Sequence, residues 1–171
     1  MSPSVDDYIN GFPHPNLPKM QGQPSYESIA ELQRLLNSNA ASVNTTLGDG
    51  QLGYLALTIA PAIYATHSQV AFVAPVNPGL LPIIPVNATV AATSELVRQH
   101  TESKRAWREY HDVDKALKQQ LLGAVDDVYV RTLRNRLTGY SSTTVWQLLD
   151  HLLTTYGRIT PTDLSHNDAR M

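Results

Sequence analysis

The clearest hydrophobic pattern of this chain lies in residues 114–157, where apolar residues recur every three or four positions. This spacing is the period of an amphipathic helix, and charged or amide side chains occupy the opposite face. Gly139 interrupts the pattern near its middle, and Ser141 or Ser142 can cap a second helix. The pattern therefore predicts a first helix over 114–137 and another one after a short polar turn.

Two apolar stripes joined by a tight turn predict a packed helix pair, because neither helix can bury its apolar face alone. Trp146 is the predicted anchor of the second stripe, which Gly157 ends in the usual C-terminal position. Leu137 flanks the end of the first stripe. The predicted core anchors are Leu117, Leu121, Val128, Trp146, Leu149, Leu152 and Tyr156.

The N-terminal residues 1–23 combine proline, glycine, asparagine and aspartate without periodicity, which predicts a flexible arm. Its few apolar side chains are expected to dock on a neighbouring surface, either of the same chain or of another subunit. A helix is predicted after Pro24, and a mostly buried helix over 51–66. Pro61 should either kink that second helix or begin a new first turn.

Residues 70–86 contain four prolines and many apolar side chains. Because proline removes backbone donors, the stretch predicts an irregular loop or a hairpin turning at 77–79, and not a long regular strand. We expect its apolar side chains to fold back onto the helices, in preference to forming an exposed interaction patch. The candidates for contacts between subunits are Tyr8, Phe12, Phe72, Val76, Leu80 and Leu81.

A long helix is predicted to begin at Asn87 or Thr89 and to run to about Tyr110. It carries the densest basic cluster of the chain. The nucleic-acid candidates are therefore Arg98, Lys104, Arg105 and Arg108. Acidic residues interspersed with them favour a solvated helix face over a phosphate-binding stripe.

The length of 171 residues fits one domain with tails. The predicted organisation is a flexible arm over 1–23, a helical domain over 24–158 and a terminal segment over 159–171 that starts a linker or another domain. Charged residues make up only 16% of the chain, and the net charge of −2 gives no overall attraction to nucleic acid or to an anionic membrane. An intracellular, cytoplasmic protein is expected, because the chain has no cysteine and its N-terminus lacks the pattern of a signal peptide.

Catalytic and metal-binding patterns are lacking in the sequence. The chain contains no cysteine, which excludes disulfides, thiolate nucleophiles and zinc knuckles. The pair His111 and Asp112 has no second histidine at metal-ligand spacing, and the pair Asp150 and His151 is expected in the middle of a helix. Neither a phosphate-binding loop nor a nucleophile elbow occurs. We therefore predict a protein that is not an enzyme and needs no cofactor.

The run from Lys115 to Leu164 resembles the capsid region of Gag polyproteins from copia-type long-terminal-repeat retrotransposons. The resemblance rests on the Lys-Ala-Leu entry at 115–117, the small-residue turn at 141–144, the two leucines Leu149 and Leu152, and the Tyr-Gly stop at 156–157. Upstream, LGYLALTIAPAIYA and FVAPVNPGLLPI also look like the segment that precedes this helix pair in such proteins, so the resemblance covers roughly residues 47 to 171.

This resemblance implies an all-α capsid domain without catalytic residues, which self-associates into oligomers or virus-like particles that package RNA. Its partners would be further copies of itself and RNA, with no membrane and no small-molecule substrate. The zinc knuckle common in the family is absent, and a second capsid domain would have to follow Met171. The alternative is a monomeric helical adaptor, which binds a partner through the proline-rich stretch.

Overall fold

The computed structural model describes residues 3–157, and this range is mostly helical. Its five α-helices are α1 (Val5–Gly11), α2 (Tyr26–Ala41), α3 (Pro61–His67), α4 (Val90–Ala124) and α5 (Val145–Tyr156). Short 3₁₀ helices lie at Leu55–Leu57, Asp127–Tyr129 and Arg131–Leu133. The described range contains no β-strand, only one isolated bridge between Asn135 and Gly139. The prediction of an all-α fold is confirmed.

Local capping chemistry sets where the helices begin. Thr89 caps α4, since its side chain accepts a hydrogen bond from the backbone N–H of Ala92. The cap of α5 is Thr144, not Ser141 or Ser142, and Gln147 completes a capping box with it. Pro61 begins α3 as a new first turn, the second of the two roles considered for it.

The longest helix, α4, joins two elements that the sequence pattern separates. It continues through the polar middle of the chain over 35 residues, because no proline or glycine interrupts it before Gly123. It also ends earlier than predicted: Ala124 is its last residue, and 3₁₀ turns follow in place of the helix expected as far as residue 137. None of the helices in the described part is long and apolar enough to cross a membrane.

The core lies between α2, the second half of α4, and α5. Fully buried side chains include Ile29, Leu36, Val113, Leu117, Leu121, Leu148, Leu149 and Leu152. Trp146 and Tyr156, two predicted anchors, are half-buried and pack on the edge of this core. Val128 is not a core residue but 53% exposed, because the helix that would have turned it inward ends at Ala124.

The N-terminal segment forms structure in place of the flexible arm. Helix α1 packs on α4, and Phe12, which follows it, is only 4% exposed within the core. Asn39, fully buried on α2, holds the next residues: it accepts a hydrogen bond from the His14 N–H (2.9 Å) and donates to the His14 carbonyl (3.0 Å). It also donates to the Gln120 side chain of α4 at 2.9 Å. The segment therefore docks on its own chain, the first of the two possibilities.

Replacing Asn39 by alanine should lower the free energy of unfolding by about 1–3 kcal/mol, because it leaves buried polar partners without hydrogen bonds. Urea unfolding followed by circular dichroism measures this cost. Asn44→Ala, at an exposed position on the loop after α2, is the matched control and should change stability by less than about 0.5 kcal/mol. Equal costs at the two positions would contradict the role of Asn39 as the tether of the N-terminal segment.

Candidate assembly surface

The first part of α4 lies outside the core. The buried residues of this helix begin only at Val113, so residues 90–109 form a helical arm of about 30 Å at 1.5 Å per residue. The predicted terminal segment over 159–171 lies outside the described residues. Two features accompany the helical arm: the residues before α4, which run along it, and two clefts on its flanks.

Phe72 fixes the start of the proline-rich stretch to the core. Its ring lies 6.0 Å from those of Tyr54 and Tyr64 and 6.2 Å from that of Tyr110, measured between centroids. Tyr54 is fully buried and donates a 2.6 Å hydrogen bond to Glu109, and burial is the main cause of its raised pKa. Phe72, a predicted subunit contact, is therefore a half-buried anchor within its own chain.

The next residues along the chain, 73–86, are named here the proline-rich segment. They are irregular, and the predicted turn lies at its expected place: the Asn77 side chain accepts a hydrogen bond from the Gly79 N–H (2.9 Å), and Gly79 has a φ of +71°. The Gly79 carbonyl lies 2.8 Å from Nε2 of His100 on α4. The turn is thus fastened to the helical arm, although no paired strands flank it in the described range.

Most apolar side chains of the proline-rich segment face solvent. Leu80 is 93% exposed, Ile83 96% and Val86 100%. Val73, Val76 and Leu81 are also exposed, as is Val90 at the start of α4. The expectation that these side chains fold back onto the helices is therefore wrong for most of them. Soluble monomers rarely expose apolar patches of more than a few hundred Å², so this surface suits burial against a partner.

The predicted basic cluster is half neutralised. Arg98 forms a 2.6 Å ion pair with Glu95, whose pKa falls to about 2 mainly through this hydrogen-bonded contact. Arg105 pairs with Glu102 at 2.7 Å and with Glu109 at 3.2 Å. The other two basic residues, Lys104 and Arg108, form no ion pair within residues 3–157.

Lys104 and Arg108 line a cleft of about 670 Å³ between α1 and α4. Tyr8 of α1 and His100 of α4 border the same space, as does Asp112. Tyr8 is half-buried here, and burial, followed by the nearby carboxylates of Glu109 and Asp112, raises its pKa. The structure therefore places Tyr8, a predicted subunit contact, in a polar cleft beside the basic residues.

A second cleft, of about 390 Å³, opens on a neighbouring flank of α4 and is named here the Trp107 cleft. The Trp107 and His111 rings meet edge to face with centroids 4.8 Å apart, and Tyr110 contacts His111 at 5.5 Å. Arg108, Asp112, Lys115 and the small hydroxyl residues 141–144 also line the cleft, above Asp114 and Lys118. The sequence pattern did not indicate this cleft, because its two walls are far apart along the chain.

Two buried charged side chains, Asp114 and Lys118, form the floor of the Trp107 cleft. The Asp114 carboxylate accepts a 3.1 Å hydrogen bond from the Val145 N–H at the start of α5. Lys118, one helical turn further along α4, donates to the carbonyls of Tyr140 and Thr143, each at 2.8 Å. Burial raises the pKa of Asp114 and lowers that of Lys118. These two side chains join α4 to the turn before α5.

The candidate catalytic pairs do not converge on a site. His151 uses its Nε2 in a 3.1 Å contact with the Tyr129 carbonyl, which has a structural role. Across the part of the chain that the structure describes, no group of three His, Cys, Asp or Glu side chains could hold a metal ion.

Comparison with protein-family models, with curated proteins and with solved structures found no match to this chain. The functional evidence is therefore the geometry itself: an apolar, uncharged segment displayed on a helical arm above a well-packed core.

Proposed function

We propose that this chain is a self-associating structural domain of the capsid type, which forms oligomers or particles able to enclose RNA. The observation that carries the proposal is the proline-rich segment, whose exposed apolar side chains are held in place by Phe72 at one end and by His100 at the turn. The resemblance to copia-type Gag capsid regions supports the same function.

The chemistry of the segment favours a protein partner. No charged residue lies between His67 and Glu95, so burying the segment desolvates no ion. Each Å² of apolar surface removed from water contributes roughly 25 cal/mol. The core of a homo-oligomer interface has this apolar, uncharged composition. A partner rich in charge, such as an RNA strand, would gain nothing from this surface.

RNA contact would involve few basic side chains. Within residues 3–157, only Lys104 and Arg108 of the predicted basic cluster are unpaired, and both share their cleft with Asp112. Neutralising about two phosphates gives weak binding that falls with rising salt. Packaging of RNA would therefore depend on many subunits acting together, since multivalency raises the affinity of a weak site.

Self-association should be lost when the segment is made polar. We expect the unchanged chain to show a mass that rises with concentration in size-exclusion chromatography with light scattering, and Leu80→Ser/Ile83→Ser to remain a monomer. Its melting temperature should be unchanged, because both side chains are almost fully exposed. Leu137→Ser, at a leucine that is 93% exposed in a turn outside the proline-rich segment, is the matched control and should assemble normally.

A strict monomer at every concentration would contradict self-association by this chain alone. It would favour the second candidate, a helical adaptor that presents the same exposed segment as a proline-rich ligand. The absorbance ratio at 260 and 280 nm in the same chromatographic run would detect bound nucleic acid. Assembly that is unaffected by the serine substitutions would show that the proline-rich segment is not the contact.

A further inference from the structure

The backbone of the proline-rich segment has four more hydrogen-bond acceptors than donors. Its four prolines lack the amide hydrogen, whereas every residue keeps its carbonyl oxygen. Proline also favours the extended polyproline II conformation, in which carbonyls point outward and find no partner within the segment. A surface that buries this segment should therefore supply apolar contact together with hydrogen-bond donors.

The Trp107 cleft supplies both. Polyproline segments bind in grooves lined by aromatic rings, and Trp107, Tyr110 and His111 provide such rings here. Arg108 and Lys115 provide cationic donors, and neither forms an ion pair within the described range. The cleft volume of about 390 Å³ is within the usual range for sites that enclose a small ligand or a few side chains.

The segment does not fill the cleft of its own chain. Its turn is fastened to His100, which lies seven residues before Trp107, or about 10 Å along the helix axis. No residue of 73–86 is among those that line the Trp107 cleft in the described structure. Pairing of two such segments with each other is unfavourable, because prolines cannot donate to a strand ladder.

We infer that the proline-rich segment of one copy docks in the Trp107 cleft of a second copy. The aromatic rings pack against its proline and aliphatic side chains, and Arg108 and Lys115 donate hydrogen bonds to its carbonyls. This inference rests on the proposed self-association and names its two surfaces. Because the surfaces differ, the contact is heterologous and repeats head to tail, which gives a closed ring or an open filament.

The test uses two variants that each lack one surface. The segment variant is Leu80→Ser/Ile83→Ser, and the cleft variant is Trp107→Ala. Trp107 lies outside the core cluster, so its truncation should leave the melting temperature close to that of the unchanged chain. Each variant alone should be a monomer. An equimolar mixture should form a dimer of one chain of each kind, which cannot grow, because only one intact segment and one intact cleft remain to meet.

Light scattering or native mass spectrometry of the mixture distinguishes the outcomes. A cleft variant that assembles like the unchanged chain would overturn the inference but leave the proposed self-association in place. Two variants that are each monomeric but do not combine when mixed would have the same meaning. An unchanged chain that stays monomeric would instead remove the proposed function. Trp107→Phe, which keeps an aromatic ring, should restore assembly, and Lys115→Ala should weaken it without affecting folding, since Lys115 is exposed.

Discussion

Leu149→Ala is expected to lower the free energy of unfolding by about 2–5 kcal/mol, whereas Leu137→Ala should leave it within about 0.5 kcal/mol. Both leucines belong to the hydrophobic pattern that predicts the helix pair. Only Leu149 lies in the core, where it is fully buried, while Leu137 is 93% exposed. Truncation at the buried position loses the transfer free energy of the side chain and leaves a cavity.

Thermal unfolding provides a second measure of the same difference. For a chain of this length, each kcal/mol corresponds to a shift of about 2–4 °C in the melting temperature. The two variants remove the same atoms, and leucine and alanine differ little in helix propensity, so the comparison reports mainly on burial. Equal shifts at the two positions would show that α5 does not pack as described and that the turn around Leu137 is part of the core.

This contrast between the two leucines shows which features of the fold the hydrophobic spacing can predict. The stripe in α5 is a continuous helix with a cap at each end, so the local period gives both its extent and its buried face. After Ala124 the same three-to-four-residue spacing continues through 3₁₀ turns and an irregular loop. Asn135 stabilises that loop by accepting hydrogen bonds from the N–H groups of Leu137 and Thr138. The spacing of apolar residues alone therefore cannot distinguish the helix α5 from the non-helical turns after Ala124.

Long-range hydrogen bonds decide the structure of the N-terminal segment. Gln120 donates to the His14 carbonyl across 106 positions of sequence, and Asn39 reaches the same residue across 25. The composition of the segment, which is rich in proline, glycine and asparagine, does not indicate that Gln120 and Asn39 bind it. Its order comes from the core against which it packs, so the composition predicts flexibility and the tertiary structure overrides it.

The candidate site was partly predictable. The proline content of residues 73–86 predicted their irregular backbone, but the expectation that their apolar side chains fold back was wrong for most of them, because the aromatic cluster captures Phe72 and leaves the following residues exposed. Neutralisation of the basic cluster was open to prediction, because Glu95 and Glu102 each precede an arginine by three residues. The Trp107 cleft could not be anticipated, since one wall follows α4 and the other comes from the turn before α5.

Lys118→Met should destabilise the fold by about 1–3 kcal/mol, the cost of leaving buried carbonyl groups without their charged donor. The substitution keeps most of the side-chain volume but leaves the carbonyls of Tyr140 and Thr143 without their shared donor. It also leaves the buried Asp114 carboxylate without the nearby positive charge that favours its ionised form. Lys115→Met, one turn of backbone away but exposed, is the matched control and should be close to neutral.

The pH dependence of stability isolates the contribution of Asp114. Burial raises its pKa above the usual value of 3.8, so the folded state binds this proton more tightly than the unfolded state does. The resulting stabilisation is fully present below pH 3.8 and is lost as the pH rises through the pKa of the folded state. Asp114→Asn lacks this titration but can still accept the hydrogen bond from Val145. Relative to this variant, the unchanged chain should therefore lose stability as the pH rises from about 4 through the raised pKa of Asp114.

The two substitutions together separate charge from hydrogen bonding. In the Lys118→Met background the pKa of Asp114 should rise further. With rising pH, Lys118→Met should therefore lose more stability relative to Lys118→Met/Asp114→Asn than the unchanged chain loses relative to Asp114→Asn. This loss should also extend to higher pH. Unfolding free energies of the four proteins, measured in urea from pH 4 to 7, form a double-mutant cycle. A cycle whose coupling does not change with pH would show that Lys118 acts only as a hydrogen-bond donor to the turn. Coupling that grows with pH would show that Lys118 also stabilises the ionised form of Asp114, one helical turn away on α4.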